Sequence, residues 1–397
     1  MTDPTAAESG SGIGSGIGSG PGRAPSRRGV LSGLAGLGLA SRVIRGNPPL
    51  LPEPAGRKAE RPPFTDLQLA GQRVIYSYPG LTPPAQLLTD IENSQVAGVI
   101  FFGENISSES QIASVIKQLR AAQNVGPAQL PLLLMTDQEG GEVARLPGAP
   151  AMSEKQIGAS SNPTGNAATA GTGAGKNLAG VGMNVNLAPV LDVYYTAGDF
   201  DDQYQRSYSN NPGIASECGR AFINAQQATG VAATAKHFPG LGSATASQNT
   251  DSGPVTLNVS LSQLHGTDEV PYPAAVAAGV KLVMVSWATY PALDASRPAG
   301  LSSIVVQQEL RTRNNFSGVT ITDALEAGAL SAYGTTAQRA VAAASAGMDL
   351  ILCSARDVSQ GEQAASALAA AYASGQLEPT AFIAAVNRVT ALRASLS

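Results

Sequence analysis

The chain has few cysteines, few charged residues and no excess of basic residues. Its 397 residues include two cysteines, Cys218 and Cys353, which are too few for a disulfide framework. Apolar surroundings in a helix and a strand predict that both are buried free thiols. Charged residues make up 14% of the chain and the formal net charge is −4, so the chain lacks the excess of basic residues that is typical of nucleic-acid-binding proteins. Nucleic acid is therefore not an expected partner.

Histidine is as scarce as cysteine, with two in the whole sequence. Two histidines and no clustered cysteines argue against a zinc site. Neither another metal nor an organic cofactor is expected. Apolar residues, by contrast, reach 43%, which suits a large α/β core. The length would hold two average domains, although single α/β barrels also reach this size.

The first 60 residues differ in composition from the rest. Residues 9–20 are a Gly/Ser/Ile run that cannot build a core, and residues 47–63 are proline-rich. Between them, Arg27 and Arg28 precede a short apolar stretch at 31–40, which resembles a twin-arginine export signal. The apolar stretch is too short for a stable membrane span. We predict a signal and linker over 1–60 and an exported protein, extracellular or in the cell envelope; a simple hydrophobic N-terminal helix is the alternative.

Residues 61–397 alternate between short β-branched runs and longer alanine-rich helical patterns. Eight runs have strand character: 73–78, 97–102, 131–136, 184–191, 231–236, 280–286, 318–322 and 348–353. Helical patterns lie between and after them: 108–123, 165–179, 214–229, 303–313, 336–346, 362–374 and 380–396. This order predicts a single (β/α)8 TIM-type barrel, although counting strands does not exclude a doubly wound sheet.

Charged and aromatic side chains follow several of the predicted strands. Right-handed crossovers place the carboxyl ends of all barrel strands on one face, so these side chains are expected to meet there. The residues at such ends are Asp137, Asp192, Lys236, His237, Trp287 and Asp323. The loop 239–256 is long, rich in Gly, Ser and Thr, and without a helix or strand pattern, as in functional lids or disordered segments.

Five motifs occur in one order along the chain. They are Met135-Thr-Asp137-Gln-Glu-Gly-Gly-Glu-Val-Ala-Arg145, Asn186-Leu-Ala-Pro-Val-Leu-Asp192, Arg206-Ser-Tyr, Lys236-His-Phe-Pro-Gly and Ile321-Thr-Asp323-Ala-Leu. Together they resemble the bacterial β-N-acetylhexosaminidases of glycoside hydrolase family 3, from about residue 66 to the C-terminus. The resemblance implies a (β/α)8 barrel and a carbohydrate substrate, with retaining hydrolysis of terminal N-acetylglucosamine, often in peptidoglycan turnover. A monomer is expected.

The resemblance also implies roles for individual residues. Asp323 matches the catalytic nucleophile, and a carboxylate at a rigid strand end suits attack on an anomeric carbon. Its alternative role is the cap of the following helix. Five residues match the sugar-binding positions, with an internal ion-pair network as the alternative: Asp137, Arg145, Arg206, Lys236 and His237. Asp192 is interpreted either as structural or as a support for a side chain that contacts the substrate. Trp287 is interpreted as either a stacking surface for sugar or a packing residue.

One position departs from the family pattern. The loop after Lys236-His-Phe-Pro-Gly normally carries Asp-Ser-His, whose histidine is the general acid/base, but here the run is Thr250-Asp-Ser-Gly253. Asp251 is the tentative replacement, and His265 is expected to be a surface residue. Loss of an acid/base catalyst lowers the rate by about 10²–10⁴ without abolishing glycosyl transfer. A sugar-binding protein without turnover and a β-glucosidase-type specificity therefore remain alternatives.

Overall fold

The computed structural model describes residues 64–396. The predicted signal and linker over 1–60 lie outside the described residues. Within 64–396, no helix combines the length and apolar character that crossing a bilayer requires.

Strands in the described region are short and almost entirely buried where they form the central sheet. In chain order they are β1 (Val74–Tyr76), β2 (Gly98–Ile100), β3 (Leu133–Thr136), β4 (Gln138–Gly140), β5 (Val143–Ala144), β6 (Val185–Asn186), β7 (Ala232–Phe238), β8 (Leu282–Val285), β9 (Thr289–Tyr290), β10 (Asp294–Pro298), β11 (Val319–Thr322) and β12 (Ile351–Leu352).

Eight of these strands form one parallel sheet, in the order β11-β8-β7-β6-β3-β2-β1-β12. A parallel bridge between Ile321 and Leu350 joins the two ends of this order, so the sheet nearly closes on itself. The pairs β4–β5 and β9–β10 are small antiparallel ribbons outside it. The predicted TIM-type barrel is thus confirmed, and the doubly wound sheet is not what forms.

Helices pack around this barrel. They are α1 (Asp66–Gly71), α2 (Ala85–Glu92), α3 (Glu109–Val125), α4 (Glu154–Gly158), α5 (Pro163–Val181), α6 (Phe200–Gln203), α7 (Pro212–Gln227), α8 (Leu261–Gln263), α9 (Pro271–Ala277), α10 (Thr336–Ala346), α11 (Val358–Ala373) and α12 (Pro379–Ala394). Local signals set their ends: α10 starts at a capping box of Thr335 and Gln338, and Gly347 ends it at φ 105°.

The predicted segments agree with these elements except in two places. The run 184–191 contributes only β6 and an isolated bridge from Val190 to Lys236, because Pro189 cannot donate a ladder hydrogen bond. The helix predicted over 303–313 is a π-helix, Ile304–Arg313, and a second π-helical turn covers Leu264–Asp268. Hydrophobic periodicity did not distinguish α from π hydrogen bonding.

Alternate residues of each strand face two different parts of the core. Ile75 of β1 belongs to the cluster inside the barrel, whereas its neighbours Val74 and Tyr76 pack in the cluster that includes the surrounding helices. Val389 and Leu392 of α12 join the interior cluster. The Arg393 guanidinium next to them donates to the carbonyls of Leu130 and Pro131, just before β3. Helix α12 therefore covers the amino ends of the strands, leaving the carboxyl ends for a site.

Candidate active site

A cavity of about 1000 Å³ lies at the carboxyl ends of the barrel strands. Such volumes are at the upper end of those of small-molecule sites. All seven site residues predicted from the sequence line it: Asp137, Arg145, Arg206, Lys236, His237, Asp251 and Asp323. The chain therefore brings these residues together, although their chemical roles remain predictions.

Lys236 is buried beside two carboxylates. Its Nζ lies 2.8 Å from Asp137 Oδ1 and 2.7 Å from Glu139 Oε1. Burial opposes the ammonium charge, but Asp137 and Glu139 outweigh it and raise the pKa of Lys236. Lys236 is therefore held as a cation at the base of the cavity.

The Glu139 carboxylate also holds Arg206 with two hydrogen bonds. Arg206 donates from Nε to Oε2 at 2.9 Å and from a terminal nitrogen to Oε1 at 3.0 Å, while its other terminal nitrogen reaches Asp201 at 2.6 Å. Burial opposes ionisation of Glu139, yet the two cations lower its pKa to about 2. Glu139 is thus a buried anion shared by Lys236 and Arg206.

His237 is oriented by Asp192. The imidazole Nδ1 lies 2.6 Å from Asp192 Oδ2, and Asp192 also accepts from the backbone amides of His237 and Leu241. Burial disfavours the imidazolium, but the Asp192 charge prevails and raises the pKa of His237. Both interpretations of Asp192 are compatible with these contacts, which hold a cavity-lining side chain and leave Nε2 of His237 for the cavity.

Arg145 lines the cavity in a different electrostatic setting. Among the described residues, its side chain forms no ion pair, and its buried Nε has no hydrogen-bond partner. The backbone amide of Arg145 donates to the carbonyl of Asp137, which fixes the segment after β5 against the end of β3. A cation without a protein acceptor is suited to a bound ligand.

Asp323 follows β11 directly and is half-buried in the cavity wall. Its Oδ1 accepts a hydrogen bond from the Ala324 amide at 2.8 Å. Trp287 supports the same segment: its ring is 1% exposed, and Nε1 donates to the Ala324 carbonyl at 2.8 Å. Of the two interpretations of Trp287, packing is therefore the one realised, because a buried indole offers no face to a sugar.

Asp251 reaches the same cavity from the long loop after β7. The residue is exposed, yet it lines the cavity, where partial burial of the carboxyl and the negative charge of Asp323 raise its pKa to about 6. The carbonyls of Thr250 and Asp251 accept hydrogen bonds from the amides of Ala329 and Gly328. The loop 239–256 is therefore tied to the segment that follows Asp323.

Two groups in the described region have the donors for a metal ion. Asp192, Asp201 and His237 each offer a ligand atom within 4.8 Å of the others, but Asp192 is paired with His237 and Asp201 with Arg206. The other group is His265, Glu269 and Glu309, which do not line the cavity. The sequence-based expectation of no metal stays a prediction.

Several residues have surroundings that the sequence indicated only partly. His265 is half-buried and bonded to Glu309 at 2.8 Å rather than free at the surface. Cys218 and Cys353 are both buried free thiols, as predicted. Glu139 was not singled out, although it lies two residues after Asp137. This spacing, which puts side chains on the same face of an extended segment, was the available signal.

Comparisons with known proteins agree with this geometry. Residues 68–392 match the family model described as the glycosyl hydrolase family 3 N terminal domain. An uncharacterized secreted glycosyl hydrolase of Arthroderma benhamiae is 46% identical over 330 residues, covering 83% of this chain and 93% of that protein. A β-hexosaminidase of Xanthomonas campestris pv. campestris is 34% identical over 271 residues, covering 66% of this chain and 78% of that protein.

Solved structures share the fold. A glycoside hydrolase family 3 β-N-acetylglucosaminidase from Paenibacillus sp. superposes with a TM-score of 0.78 at 31% identity. The match covers 84% of this chain, and this chain spans 63% of that longer protein.

Proposed function

Because this chain belongs to glycosyl hydrolase family 3, we propose that it is a retaining β-N-acetylhexosaminidase that releases a terminal β-linked N-acetylhexosamine. One observation carries the proposal. Two carboxyl groups from separate segments, Asp323 and Asp251, line one cavity together with the cations Lys236 and Arg145. Retaining glycosidases need such a pair, one as nucleophile and one as acid.

In the first step, a carboxylate oxygen of Asp323 attacks C1 of the sugar. The bond from C1 to the leaving oxygen breaks, and that oxygen takes a proton from Asp251. A pKa of about 6 leaves a sizeable protonated fraction of Asp251 in mildly acidic to neutral solution.

In the second step, water loses a proton to Asp251 and attacks C1 from the side of the departed group. The bond from C1 to Asp323 breaks, which regenerates the carboxylate, and two inversions give retention. The sugar is held by hydroxyl contacts to Asp137, Lys236, His237 and Arg145. Arg206 acts through Glu139, to which it is bonded twice.

The test is to trap the glycosyl-enzyme. A fluorinated N-acetylglucosamine inactivator followed by peptide mass mapping is expected to label Asp323. With an aryl N-acetyl-β-glucosaminide, Asp323→Asn should lose release of the aryl group, while Asp357→Asn, at an exposed aspartate outside the cavity, should not. A label on another side chain, or equal release by Asp323→Asn, would refute the nucleophile assignment.

A receptor for cell-wall sugars without turnover is the second candidate. Gly253 at the position of the family's acid/base histidine favours it. Calorimetry with N-acetylglucosamine and muropeptide fragments, combined with the aryl glycoside assay, separates the two. Binding without release of any aryl group supports the receptor, whereas turnover removes it. An aryl β-glucoside assayed in parallel decides the sugar specificity.

Export and a monomeric state complete the proposal. The Arthroderma benhamiae relative is described as secreted, and Arg27-Arg28 precedes an apolar stretch in this chain. In a host with a twin-arginine pathway, replacing both arginines with lysine should retain the precursor in the cytoplasm. Light scattering on the exported protein should give the mass of one chain; a multiple of it would contradict the monomer.

A further inference from the structure

One aromatic side chain at the mouth of the cavity has no role in the mechanism above. Tyr204 lines the cavity and is 46% exposed. The other large apolar side chains exposed in residues 64–396 are Leu81, Val125, Leu261 and Ile304, and none of them lines the cavity. An exposed ring beside a polar cavity is costly to hydrate and offers a surface for an apolar ligand face.

Resting on the proposed function, we propose that Tyr204 is the platform for the sugar on the leaving-group side of the scissile bond. The ligand is a pyranose of a β-linked oligosaccharide, whose C–H face packs on the tyrosine ring. The enzyme would therefore prefer oligosaccharides to glycosides with a small leaving group.

Depth in the cavity separates this subsite from the one that holds the released sugar. Lys236 and His237 are 2% and 6% exposed, so the sugar that they bind lies at the bottom. Tyr204 lies only two residues before Arg206, which is joined to that buried set through Glu139. A cavity of about 1000 Å³ has room for more than one monosaccharide, and its outer part is bounded by Tyr204.

The platform is rigid before any ligand arrives. Phe200 packs edge to face on Tyr204 with ring centroids 5.5 Å apart, and the Phe200 amide donates to Ala244. Gln205 has φ 57°, a left-handed conformation that is unfavourable for this residue type. Hydrogen bonds with Ser153 and Glu142 hold its side chain. A ring fixed in this way loses little conformational entropy on binding.

Charged groups line another part of the cavity. Tyr204 follows β6, Arg356 follows β12, four strands away in the eight-stranded order, and Phe102 and Glu104 follow β2, two strands away. The Arg356 guanidinium lies 4.3 Å from the Phe102 ring centroid and 2.9 Å from Glu104 Oε1, and all three residues line the cavity. A pyranose has one apolar face and hydroxyls at its edge, which matches a ring in one part of the cavity and charged groups in another.

The experiment compares two substrates with the same released sugar. They are the β-1,4-linked disaccharide of N-acetylglucosamine and methyl N-acetyl-β-glucosaminide, and the measured quantity is the ratio of their kcat/KM values. Tyr204→Ala should lower this ratio about three- to tenfold, as expected for loss of one aromatic contact. Tyr204→Phe, which keeps the ring, and Leu261→Ala, at an equally exposed site outside the cavity, should leave the ratio unchanged.

An unchanged ratio in Tyr204→Ala, or an equal loss on both substrates, would overturn this inference and leave the proposed hydrolysis intact. Hydrolysis of neither substrate by the wild-type protein would instead refute the proposed function. In that case calorimetry decides the inference, because Tyr204→Ala must weaken binding of the disaccharide more than that of N-acetylglucosamine. Equal weakening of the two would again overturn it.

Discussion

The Lys236 ammonium lies 2.7 Å from Glu139 Oε1, and both side chains are almost fully buried. The same carboxylate accepts two hydrogen bonds from Arg206. Two buried cations therefore share one anion, and each has a second carboxylate partner, Asp137 for Lys236 and Asp201 for Arg206.

Replacing Glu139 with Gln should destabilise the fold and weaken sugar binding together. The amide keeps the shape but leaves Lys236 with only Asp137, and Arg206 with only Asp201, as anionic partners. Breaking a buried ion pair costs about 3–5 kcal/mol of unfolding free energy. Urea denaturation of Glu139→Gln measures this loss.

The matched control for that experiment is Glu142→Gln. Glu142 is exposed and accepts a single hydrogen bond, from Gln205. The unfolding free energy of the Glu142→Gln variant should differ from that of the wild type by less than ~0.5 kcal/mol. Equal effects of the two substitutions would show that Glu139 does not act as a shared counterion.

Asp251→Asn should remove the acidic preference of the reaction. A general acid works in its protonated form, so kcat/KM of the wild type for a substrate with a poor leaving group should be level just below pH 6. It should then fall as the pH rises through the Asp251 pKa of about 6. The variant should lose about 10²–10⁴ in rate on that substrate and little on one with a good leaving group.

The backbone contacts of Asp251 survive this substitution, since its amide and carbonyl form them. Ser252→Ala, at the exposed neighbour, should keep the wild-type profile. A profile unchanged in Asp251→Asn would assign the acid role elsewhere.

Asp268 makes stability depend on pH independently of catalysis. It is buried, accepts a hydrogen bond from Tyr195 at 2.7 Å, and has one carboxyl oxygen without a partner. Burial raises its pKa from 3.8 to about 7. The pKa of this carboxyl is higher in the folded state than in the unfolded state, so its protonation favours folding. This contribution is complete below the pKa of the unfolded state and is lost as the pH rises through about 7.

Between pH 5 and 8, the unfolding free energy of the wild type should therefore fall by ~2 kcal/mol more than that of Asp268→Asn. The asparagine keeps an acceptor for Tyr195 and cannot ionise. Asp357→Asn, at an exposed aspartate, should follow the wild-type curve. Parallel curves for wild type and Asp268→Asn would contradict a raised pKa.

Trp287→Phe should slow catalysis while leaving the affinity for N-acetylglucosamine unchanged. Phenylalanine fills much of the space but removes the donor to the Ala324 carbonyl, next to Asp323. We expect the unfolding free energy to fall by ~1 kcal/mol. Because the segment that carries Asp323 loosens, we also expect about a tenfold lower kcat. Tyr272→Phe is the control, since its buried hydroxyl has no hydrogen-bond partner. An equal fall of kcat in both variants would exclude a positioning role.

The sequence was sufficient to predict the barrel, because apolar strand runs alternate with helical patterns and several of the strands end in a chemically distinct residue. Apolar runs leading into Asp137, Lys236 and Asp323 indicated both the strands and the edge where they meet. Turn and capping residues such as Gly347 fixed the helix ends. The π-helix Ile304–Arg313 was not predicted, since its hydrogen-bond shift leaves little trace in the apolar pattern.

Residues that act through tertiary contacts were harder to predict. Glu139 gains its importance from Arg206, 67 positions away, and Tyr204 from its place on the rim of a cavity formed by distant loops. Trp287 had two interpretations that only its burial separates. Local patterns indicated which residues line the cavity, whereas burial and partners depend on segments far apart in the chain.

The backbone hydrogen bonds from Gly328 and Ala329 to the carbonyls of Asp251 and Thr250 have a consequence for building chimeras. The two carbonyls belong to the loop after β7, and the two amides belong to the first turn of a short 3-10 helix, Gly328–Tyr333. Grafting either segment alone from a homologue would leave main-chain groups unmatched and shift Asp251 relative to Asp323. Swaps intended to change specificity should therefore transplant both segments as a unit.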